Sequence, residues 1–563
     1  MRRLLFWTFG GVYLDVRKGL MVILTLCVSL VATTVQSVAV PTRVEAGLRA
    51  YFVITAPKQT AAVAAAVAAN AGTVYAAYDA IGVLVVHSAN AGFAGAMRSA
   101  PGVQKVGATR TSDLPPAVAN PAIPAASPAV PSNSPEIARR DMTMIGADKA
   151  WEVNPGSKAI TVGVLDTGVD DQHPDLAANF DASKSASCAY GKADTRPGAW
   201  RPVAAHGTHV AGTIAAAKDD KGMVGVAPGV KVSSIRVAEP EGKQLFFAEN
   251  TVCAFVFAAD KGISITNNSY YVDPWMFLCP TDPDQDAIQE AVRRSVAYAD
   301  SKGVVNVAAA GNENYDLAAK ATDVTSPNDS KPGVRSITDQ CISLPTELPN
   351  MIVVAALSPD GNRAGFSNYG EGKISISAPG EAVYSTVPGG GYQSMDGTSM
   401  AAPHVAGVAA LVRSTNPKLT PAQVRAQLAT QADDIACPAS AGARCKGTDA
   451  VNSFYGEGMV DAAKAVGANS KAPTSGVAIT KPAEQLGFGG APAIPLLLKG
   501  TSSKGEVSYT ATGLPPGLSI DAQRGWITGV LTPGSGRYKV TVTARDAEAK
   551  TAQASFYWNV WSF

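Results

Sequence analysis

The chain has 563 residues, a length that suggests several domains rather than one. It is 46% hydrophobic and 17% charged, as expected of a globular protein. The net charge is +1 and the sequence has no basic block, which argues against nucleic acid or an anionic membrane surface as a partner.

The N-terminus has the features of an export signal. Four basic residues precede the apolar run Leu20–Ala32, and Ser37-Val38-Ala39 fits a signal-peptidase site. The run is short for a membrane span, although a single-pass anchor remains the alternative. We therefore predict a signal peptide over residues 1–39, a secreted protein and no stable membrane anchor.

Cysteine usage agrees with export. Cys27 lies in the apolar run, and the other six cysteines form an even set, which predicts three disulfides. None of the spacings is C-x-x-C, so a zinc ribbon is not indicated. Six cysteines allow 15 connectivities. A shared polar loop suggests one pair, and order along the chain suggests the other two. The expected pairs are Cys437–Cys445, Cys188–Cys253 and Cys279–Cys341.

The first two segments after the signal differ in composition. Residues 47–112 predict a strand–helix–strand–strand–helix–strand order, which is a small ferredoxin-like α+β unit. Residues 113–135 are dominated by Pro, Ala, Ser and Asn. Because this composition cannot bury a core, we predict an extended linker that proteases can reach.

Two further domains follow. Over residues 136–468, apolar strands such as Ile160–Leu165 alternate with helices such as Gly207–Ala217. This pattern predicts an α/β fold with a doubly wound, mainly parallel sheet covered on both faces. Over residues 478–563, short alternating strands separated by turns predict a small Greek-key β-sandwich.

Asp166 and His206 are the first candidates for chemistry. Asp166 follows an apolar strand and precedes Thr167-Gly168, and the carboxyl ends of parallel strands are where sites form. By itself it could be a turn residue or half of an aspartic-protease dyad, but the chain has no second such motif. His206 opens a Gly/Ala-rich helix. The H-x-x-H spacing to His209 could indicate zinc, but it lacks the glutamate of H-E-x-x-H.

Ser399 stands among small residues where a Gly-Thr-Ser turn enters an apolar helix. A helix start directs free N–H groups and a positive dipole end at such a residue. An ordinary N-cap serine is the alternative. Pro403 is expected in or near the first turn.

Asn312 follows another apolar strand. Its side chain could donate a hydrogen bond into a cleft, or it could be an ordinary turn residue. His209 and His404 are expected to serve packing.

In the order Asp166, His206, Ser399, these motifs together resemble the subtilisin-like serine proteases. The matching segments are Val164–Asp170, His173–Leu176, His206–Gly212, Ala310–Asn312 and Gly397–Gly407. The resemblance covers residues 136–468. It implies that Ser399 is the nucleophile, His206 the general base and Asp166 the residue that orients the base. The Asn312 amide and the Ser399 N–H would stabilise the oxyanion, and the reaction needs no cofactor.

The resemblance also implies where substrate and metal bind. Thr266–Tyr271 corresponds to an edge strand that pairs with extended substrate backbone. The family often has glycines after the serine of this segment, whereas this chain has bulky residues. The implied substrate-binding residues are Ser269, Tyr270, Tyr271, Ala310 and Gly311. Asp175 matches a position that often binds structural Ca²⁺, for which an oxygen ligand is suited.

The resemblance to the same family also suggests functions for the flanking domains. Residues 47–112 resemble its inhibitor-type propeptide, with removal expected by a cut between Ser112 and Arg140. Residues 478–563 resemble the immunoglobulin-like modules of exported proteins. We predict a secreted, monomeric serine endopeptidase that acts on proteins or peptides through an acyl-enzyme and is made as a self-processing zymogen. The alternative is a catalytically silent binding protein that acts through its C-terminal β-domain. A serine esterase is disfavoured because G-x-S-x-G does not surround Ser399.

Overall fold

The computed structural model describes residues 47–128, 136, 139–467, 477–482, 484–498, 500–502, 507–523 and 525–562. The predicted signal peptide, Cys27 and a smaller part of the expected cleavage region, residues 129–135, 137 and 138, lie outside these residues. Within the described part of the chain, no helix is long and apolar enough to cross a membrane.

The N-terminal unit is a four-stranded antiparallel sheet with two helices. Its elements are β1 (Arg49–Thr55), α1 (Ala64–Ala69), β2 (Gly72–Tyr78), β3 (Val83–Ser88), α2 (Phe93–Arg98) and β4 (Val103–Ala108). The strand order β2-β3-β1-β4 is the predicted ferredoxin-like arrangement. Both faces of β1 are buried. Tyr51 and Val53 pack under the unit's own helices, while Phe52 and Ile54 join a core shared with the next domain.

The central domain alternates strands and helices, as its sequence predicts. Its helices are α3 (Arg140–Met144), α4 (Ala147–Val153), α5 (Pro174–Ala177), α6 (His206–Ala215), α7 (Ala248–Asp260), α8 (Pro283–Ser301), α9 (Thr398–Thr415), α10 (Pro421–Gln431) and α11 (Ala462–Ala465). Its strands are β5 (Thr161–Asp166), β6 (Ala186–Ser187), β7 (Lys231–Arg236), β8 (Ile265–Asn268), β9 (Val305–Ala309), β10 (Thr322–Asp323), β11 (Arg335–Ser336), β12 (Met351–Leu357), β13 (Ile376–Pro379), β14 (Val383–Val387) and β15 (Gly391–Met395).

Seven of these strands form one sheet in the order β13-β12-β9-β8-β5-β7-β6, and every pairing in it is parallel. Helices cover both faces. Val162 and Val164 of β5 pack with α6 and α9, whereas Leu165 packs on the side of α7 and α8. The doubly wound architecture is therefore confirmed, and it brings the carboxyl ends of the strands to one edge.

One strand expectation is wrong. Thr266–Asn268 belongs to β8, which is hydrogen-bonded to β5 on one side and to β9 on the other. A strand with neighbours on both sides has no free backbone groups for a substrate. Only Ser269–Tyr271, which continue the chain beyond the end of β8, lie outside the sheet.

Three disulfides tie loops around this core. The structure joins Cys188 to Cys253, Cys279 to Cys341, and Cys437 to Cys445. These are the three expected pairs, Cys437–Cys445 from a shared loop and the other two from order along the chain. The first bond attaches the segment after β6 to α7, whose side chains are almost all buried.

The C-terminal domain is all-β. Its strands are β16 (Val477–Ile479), β17 (Gln485–Phe488), β18 (Leu496–Leu497), β19 (Gly500–Ser502), β20 (Ser508–Thr512), β21 (Leu518–Ile520), β22 (Trp526–Gly529), β23 (Gly536–Arg545) and β24 (Thr551–Trp561). The sheets β17-β24-β23-β20 and β18-β22-β21 contribute to one apolar core. Trp558 of the first sheet and Ile527 of the second are fully buried in it, as in a sandwich.

Candidate active site

Asp166 is the last residue of β5 and is fully buried. Its Oδ1 accepts hydrogen bonds from His206 Nδ1 at 2.8 Å and from the Thr167 N–H at 2.6 Å. Because Nδ1 donates to the carboxylate, a neutral His206 presents an unprotonated Nε2. This is the tautomer that a general base requires.

His206 is the first residue of α6, where a short turn holds it against β5. Thr167 Oγ1 accepts the Gly207 N–H at 2.9 Å and donates to the Ala204 carbonyl at 3.1 Å. A Cβ at position 207 would lie 2.4 Å from the Gly168 carbonyl oxygen, so only glycine permits this approach. Burial lowers the pKa of His206, whereas the charge and hydrogen bond of Asp166 raise it. The two effects of Asp166 together exceed that of burial, so the pKa lies above its usual value.

Ser399 is the second residue of α9, and Gly397 rather than Ser399 is the N-cap. The N-cap interpretation of Ser399 is therefore wrong. Pro403 also lies deeper in the helix than expected, in its second turn. A residue with an N–H at 403 would donate to the Ser399 carbonyl, four residues back. With proline there, that carbonyl accepts the Ser269 hydroxyl instead, at 3.0 Å.

The Ser399 hydroxyl donates to the Ser269 carbonyl oxygen at 3.2 Å and makes no hydrogen bond with His206. The two serines are thus joined by reciprocal side chain to backbone bonds. Asn267 Nδ2 donates to Ser269 Oγ at 2.9 Å and holds it in place. Ser269 therefore contacts Ser399 through both its side chain and its backbone, and it also lines the cleft, where substrate binding stays a prediction. Catalytic hydrogen bonds in a free enzyme are often formed only when substrate is present.

The Asn312 amide has a fixed orientation. Its Oδ1 accepts the Thr398 N–H and the Thr398 hydroxyl, both at 2.8 Å. Because a backbone N–H can only donate, the other end of the amide must be the NH₂ group. A Cβ built on Gly397 would lie 3.6 Å from Asn312 Nδ2 and 3.5 Å from the Ser399 nitrogen. Both donors therefore border one small space, and Ser399 is at a helix position where no helical carbonyl accepts its N–H.

A cleft of about 380 Å³ contains these groups, lined by segments that follow β7, β8 and β9. Tyr270 lines it but is buried, with its ring stacked on Phe246 at 4.7 Å. Tyr271 is partly exposed and accepts a hydrogen bond from Asn328 at 3.0 Å. The bulky residues thus form walls of the cleft, and their side chains make contacts within the protein.

Ala310 and Gly311 also line the cleft, but their backbone polar groups are already bonded. The Ala310 N–H donates to Val354, and its carbonyl accepts from Asn368. The Gly311 N–H donates to Thr398 Oγ1, and its carbonyl accepts the Asn368 N–H. Both N–H groups therefore have partners within the protein, while each carbonyl oxygen keeps a second lone pair that could accept a hydrogen bond.

The other histidines lie outside the site. His209 is fully buried, its Nε2 lies 3.0 Å from the Val383 and Gln393 carbonyls, and burial lowers its pKa to about 4. His404 contacts the Met400 carbonyl and Asp141. His173 accepts the Asp175 N–H at the start of α5.

Among the described residues, no group of three or more His, Cys, Asp or Glu side chains could hold a metal ion.

Sequence reasoning missed two residues that organise the site. Thr398 links Gly311 to Asn312 through one hydroxyl. Asn368 is 3% exposed, and its amide bonds Ala310, Glu313 and Tyr315. The position of Thr398 beside Ser399 was a usable signal. Asn368 stands in an ordinary loop sequence, so nothing local pointed to it.

The carboxyl edge of the parallel sheet thus holds a hydroxyl, a histidine–aspartate pair and two N–H donors, which are the groups that serine proteases use. Residues 157–458, just over half of the chain, match the model of the Subtilase family, and residues 472–561 match that of a putative Ig domain. The chain belongs to the subtilase family and is a subtilisin-like serine protease with a C-terminal Ig-like domain.

Several relatives agree with this placement. Subtilisin DY of Bacillus licheniformis is 33% identical over 292 residues, which cover 52% of this chain and 90% of that protein. Subtilisin BL of Lederbergia lenta is 34% identical over 303 residues, which cover 54% and 89%. The fold is similar to that of the epidermin leader peptide processing serine protease of Staphylococcus aureus, with a TM-score of 0.59 at 21% identity over 76% of this chain and 100% of that one.

Proposed function

We propose that Asp166, His206 and Ser399 form the catalytic triad of an endopeptidase that cuts proteins through an acyl-enzyme. Ser399 Oγ would leave the Ser269 carbonyl and attack the scissile carbonyl carbon, while His206 Nε2 takes its proton. His206 would then protonate the leaving amine, and a water molecule would release the acyl group by the same route. Asp166 would hold the ring and stabilise its cation.

The observation that carries this proposal is the convergence of both halves of the chemistry on one cleft. His206, oriented by Asp166 at 2.8 Å, and the Ser399–Asn312 donor pair border the same space. A binding protein on a protease scaffold has no need to keep an amide in this fixed orientation.

A fluorophosphonate probe with a fluorescent tag tests the proposal on the full chain. We expect the probe to attach to Ser399, located by peptide mass spectrometry, and labelling to be blocked by prior phenylmethylsulfonyl fluoride treatment. Casein should be cut in the same samples. A folded protein that neither reacts nor cuts casein would favour the silent binding protein instead.

Asn312→Ala should lower kcat by on the order of 10²–10³-fold, because one oxyanion donor is lost. The fold should persist, since the removed amide accepts hydrogen bonds only locally, from Thr398 in the lining of the cleft. The measurement is kcat and KM on a chromogenic peptide, with thermal unfolding alongside. Asn362→Ala, in an exposed loop whose bonds stay within residues 358–362, is the matched control. A full rate in Asn312→Ala would remove this residue from the site.

We also propose that residues 47–112 act as the inhibitory propeptide of an exported zymogen. Polar contacts attach this unit to α8: Arg294 donates to the Thr55 and Ile81 carbonyls at 2.6 and 3.0 Å, and Lys105 pairs with Asp286 at 2.7 Å. Such contacts are expected if residues 47–112 assist the folding of the protease domain. The three disulfides suit an oxidising compartment outside the cytoplasm, and the mature enzyme would act as a monomer.

Asp175 is the proposed ligand of a structural calcium ion. It is 1% exposed, burial raises the pKa of its carboxyl, and Asp219 raises that pKa further. Its Oδ2 accepts the Met223 N–H at 3.0 Å. A buried carboxylate that also feels the negative charge of the exposed Asp219 fits a hard divalent cation, whose positive charge would stabilise its ionised form.

EDTA should therefore lower the melting temperature of the Ser399→Ala protein by on the order of 5 °C, and excess calcium should restore it. The inactive background prevents self-digestion during the scan. Asp175→Asn should melt lower and respond less to EDTA, whereas the exposed Asp434→Asn should respond like its parent. An unchanged melting temperature with EDTA would exclude a stabilising calcium ion.

A further inference from the structure

Arg110, just beyond β4 of the N-terminal unit, is buried against two glutamates of the protease domain. Its Nη2 donates to Glu239 Oε1 at 2.6 Å, and its Nη1 donates to Glu239 Oε2 at 3.2 Å. Its Nε lies 3.1 Å from Glu249 Oε1, which also accepts from Nη2. The side chains of Arg110, Glu239 and Glu249 are 1%, 5% and 0% exposed.

The shape of this site is specific for a guanidinium group. One carboxylate accepts the two terminal nitrogens side by side, the second accepts at the Nε edge, and the Phe247 ring lies 3.6 Å from Arg110 Cζ. A planar fork matches these partners, and an aromatic face attracts the cation. A lysine ammonium could serve only part of the set.

All three partners belong to the protease domain, between the end of β7 and the first turn of α7. We name Glu239, Phe247 and Glu249 the guanidinium slot. The slot adjoins the catalytic cleft, because Lys243 and Leu245 line both the cleft that contains Ser399 and the cavity of about 240 Å³ around Arg110. The two sites are therefore neighbours on the protease domain.

Removal of the N-terminal unit would take away the guanidinium that pairs with both Glu239 and Glu249. One positive charge already faces two negative ones, and Glu249 Oε2 has no hydrogen-bond partner among the described residues even with Arg110 in place. Uncompensated charges in such a site are costly, so an incoming guanidinium would be bound strongly. The slot therefore gains a function when Arg110 leaves.

We propose that the guanidinium slot is a substrate subsite of the mature protease, which selects an arginine on the N-terminal side of the cut bond. The inference rests on the proposed proteolytic function and on release of the N-terminal unit. Arg110 precedes the expected cleavage region, which begins after Ser112, so a substrate arginine that takes its place would be the third residue or farther before the cut.

Internally quenched peptides with arginine, lysine, citrulline or norleucine at each of the third to eighth positions before the cut provide the test. Citrulline keeps the shape of arginine without its charge. With mature enzyme obtained from the full chain, we expect arginine to exceed citrulline in kcat/KM at one position by on the order of 10²-fold, with lysine between them.

The Glu239→Gln and Glu249→Gln variants should reduce this ratio, whereas Glu241→Gln should keep it. Glu241 lines the same cavity but pairs with the Tyr190 hydroxyl, so it is the matched control. Should the slot variants fail to fold, the wild-type comparison of arginine with citrulline still decides. Equal rates for the two at every position, with norleucine peptides still cut, would mean that the slot only fastens the N-terminal unit. An enzyme that cuts no peptide and takes up no fluorophosphonate would instead overturn the proteolytic function.

Discussion

Ser399→Ala is expected to lower kcat/KM for protein substrates by about 10⁶-fold, the loss known for removal of a subtilisin's nucleophile. A methyl group cannot form the acyl-enzyme, and the remaining rate would come from binding and the oxyanion donors alone. The variant should also take up no fluorophosphonate. Among the described residues, the removed hydroxyl bonds only the Ser269 carbonyl, so the fold should be retained.

The same variant tests self-processing. The full chain with Ser399→Ala should keep residues 47–112 covalently attached, which a shift in mass on a denaturing gel would reveal. The exposed Ser394→Ala, in β15, is the matched control and should mature normally. A Ser399→Ala protein that still matures in a protease-deficient host without added enzyme would contradict self-cleavage, and one that still cuts casein would contradict the assigned nucleophile.

Asp166→Asn is expected to lower kcat by about 10⁴-fold, because an amide no longer enforces the tautomer of His206 in which Nε2 is free. The substitution keeps the shape of the side chain, which is fully buried at the end of β5. Asp171→Asn is the matched control, since Asp171 lies five residues on and pairs with Arg201 and Trp200. A loss smaller than tenfold would mean that His206 does not depend on Asp166.

The pH dependence follows from the same pair. His206 works as a base only when neutral, and Asp166 raises its pKa above the usual 6.5. In the wild-type enzyme, kcat/KM should therefore fall as pH decreases through that raised pKa. The Asp166→Asn substitution removes the charge, so the pKa of His206 should drop and the residual activity of this variant should persist to lower pH. A profile with an unmoved acid limb would contradict this coupling.

Much of the fold could be read from local patterns. The apolar run Ile160–Leu165 falls on β5, and the predicted helix Gly207–Ala217 falls on α6. Such segments can be predicted from sequence because burial on one or both faces sets the spacing of their apolar residues. Short elements such as the two-residue β6 have too few residues to show a periodic apolar pattern, so they were not predicted.

The site divides in the same way. Asp166, His206 and Ser399 were found because each stands in a short local motif, and the three motifs in this order resemble those of the subtilisin-like proteases. The contact between Ser269 and Ser399 was not found, because it joins positions 130 residues apart. The interpretation of Thr266–Asn268 as an edge strand failed for a related reason, since the neighbours of β8 are set by the order of strands in the sheet.

The sequence by itself determined the class of the protein, the order of its domains and the chemistry of its candidate triad. These depend on residue types and short spacings, which a single chain displays directly. Only the tertiary structure decided that Pro403 frees the Ser399 carbonyl for Ser269, that Thr398 orients Asn312, and that Arg110 fills a slot of two glutamates. Each of these is a contact between segments far apart in sequence, and its energy depends on burial and geometry that arise only when the segments pack together.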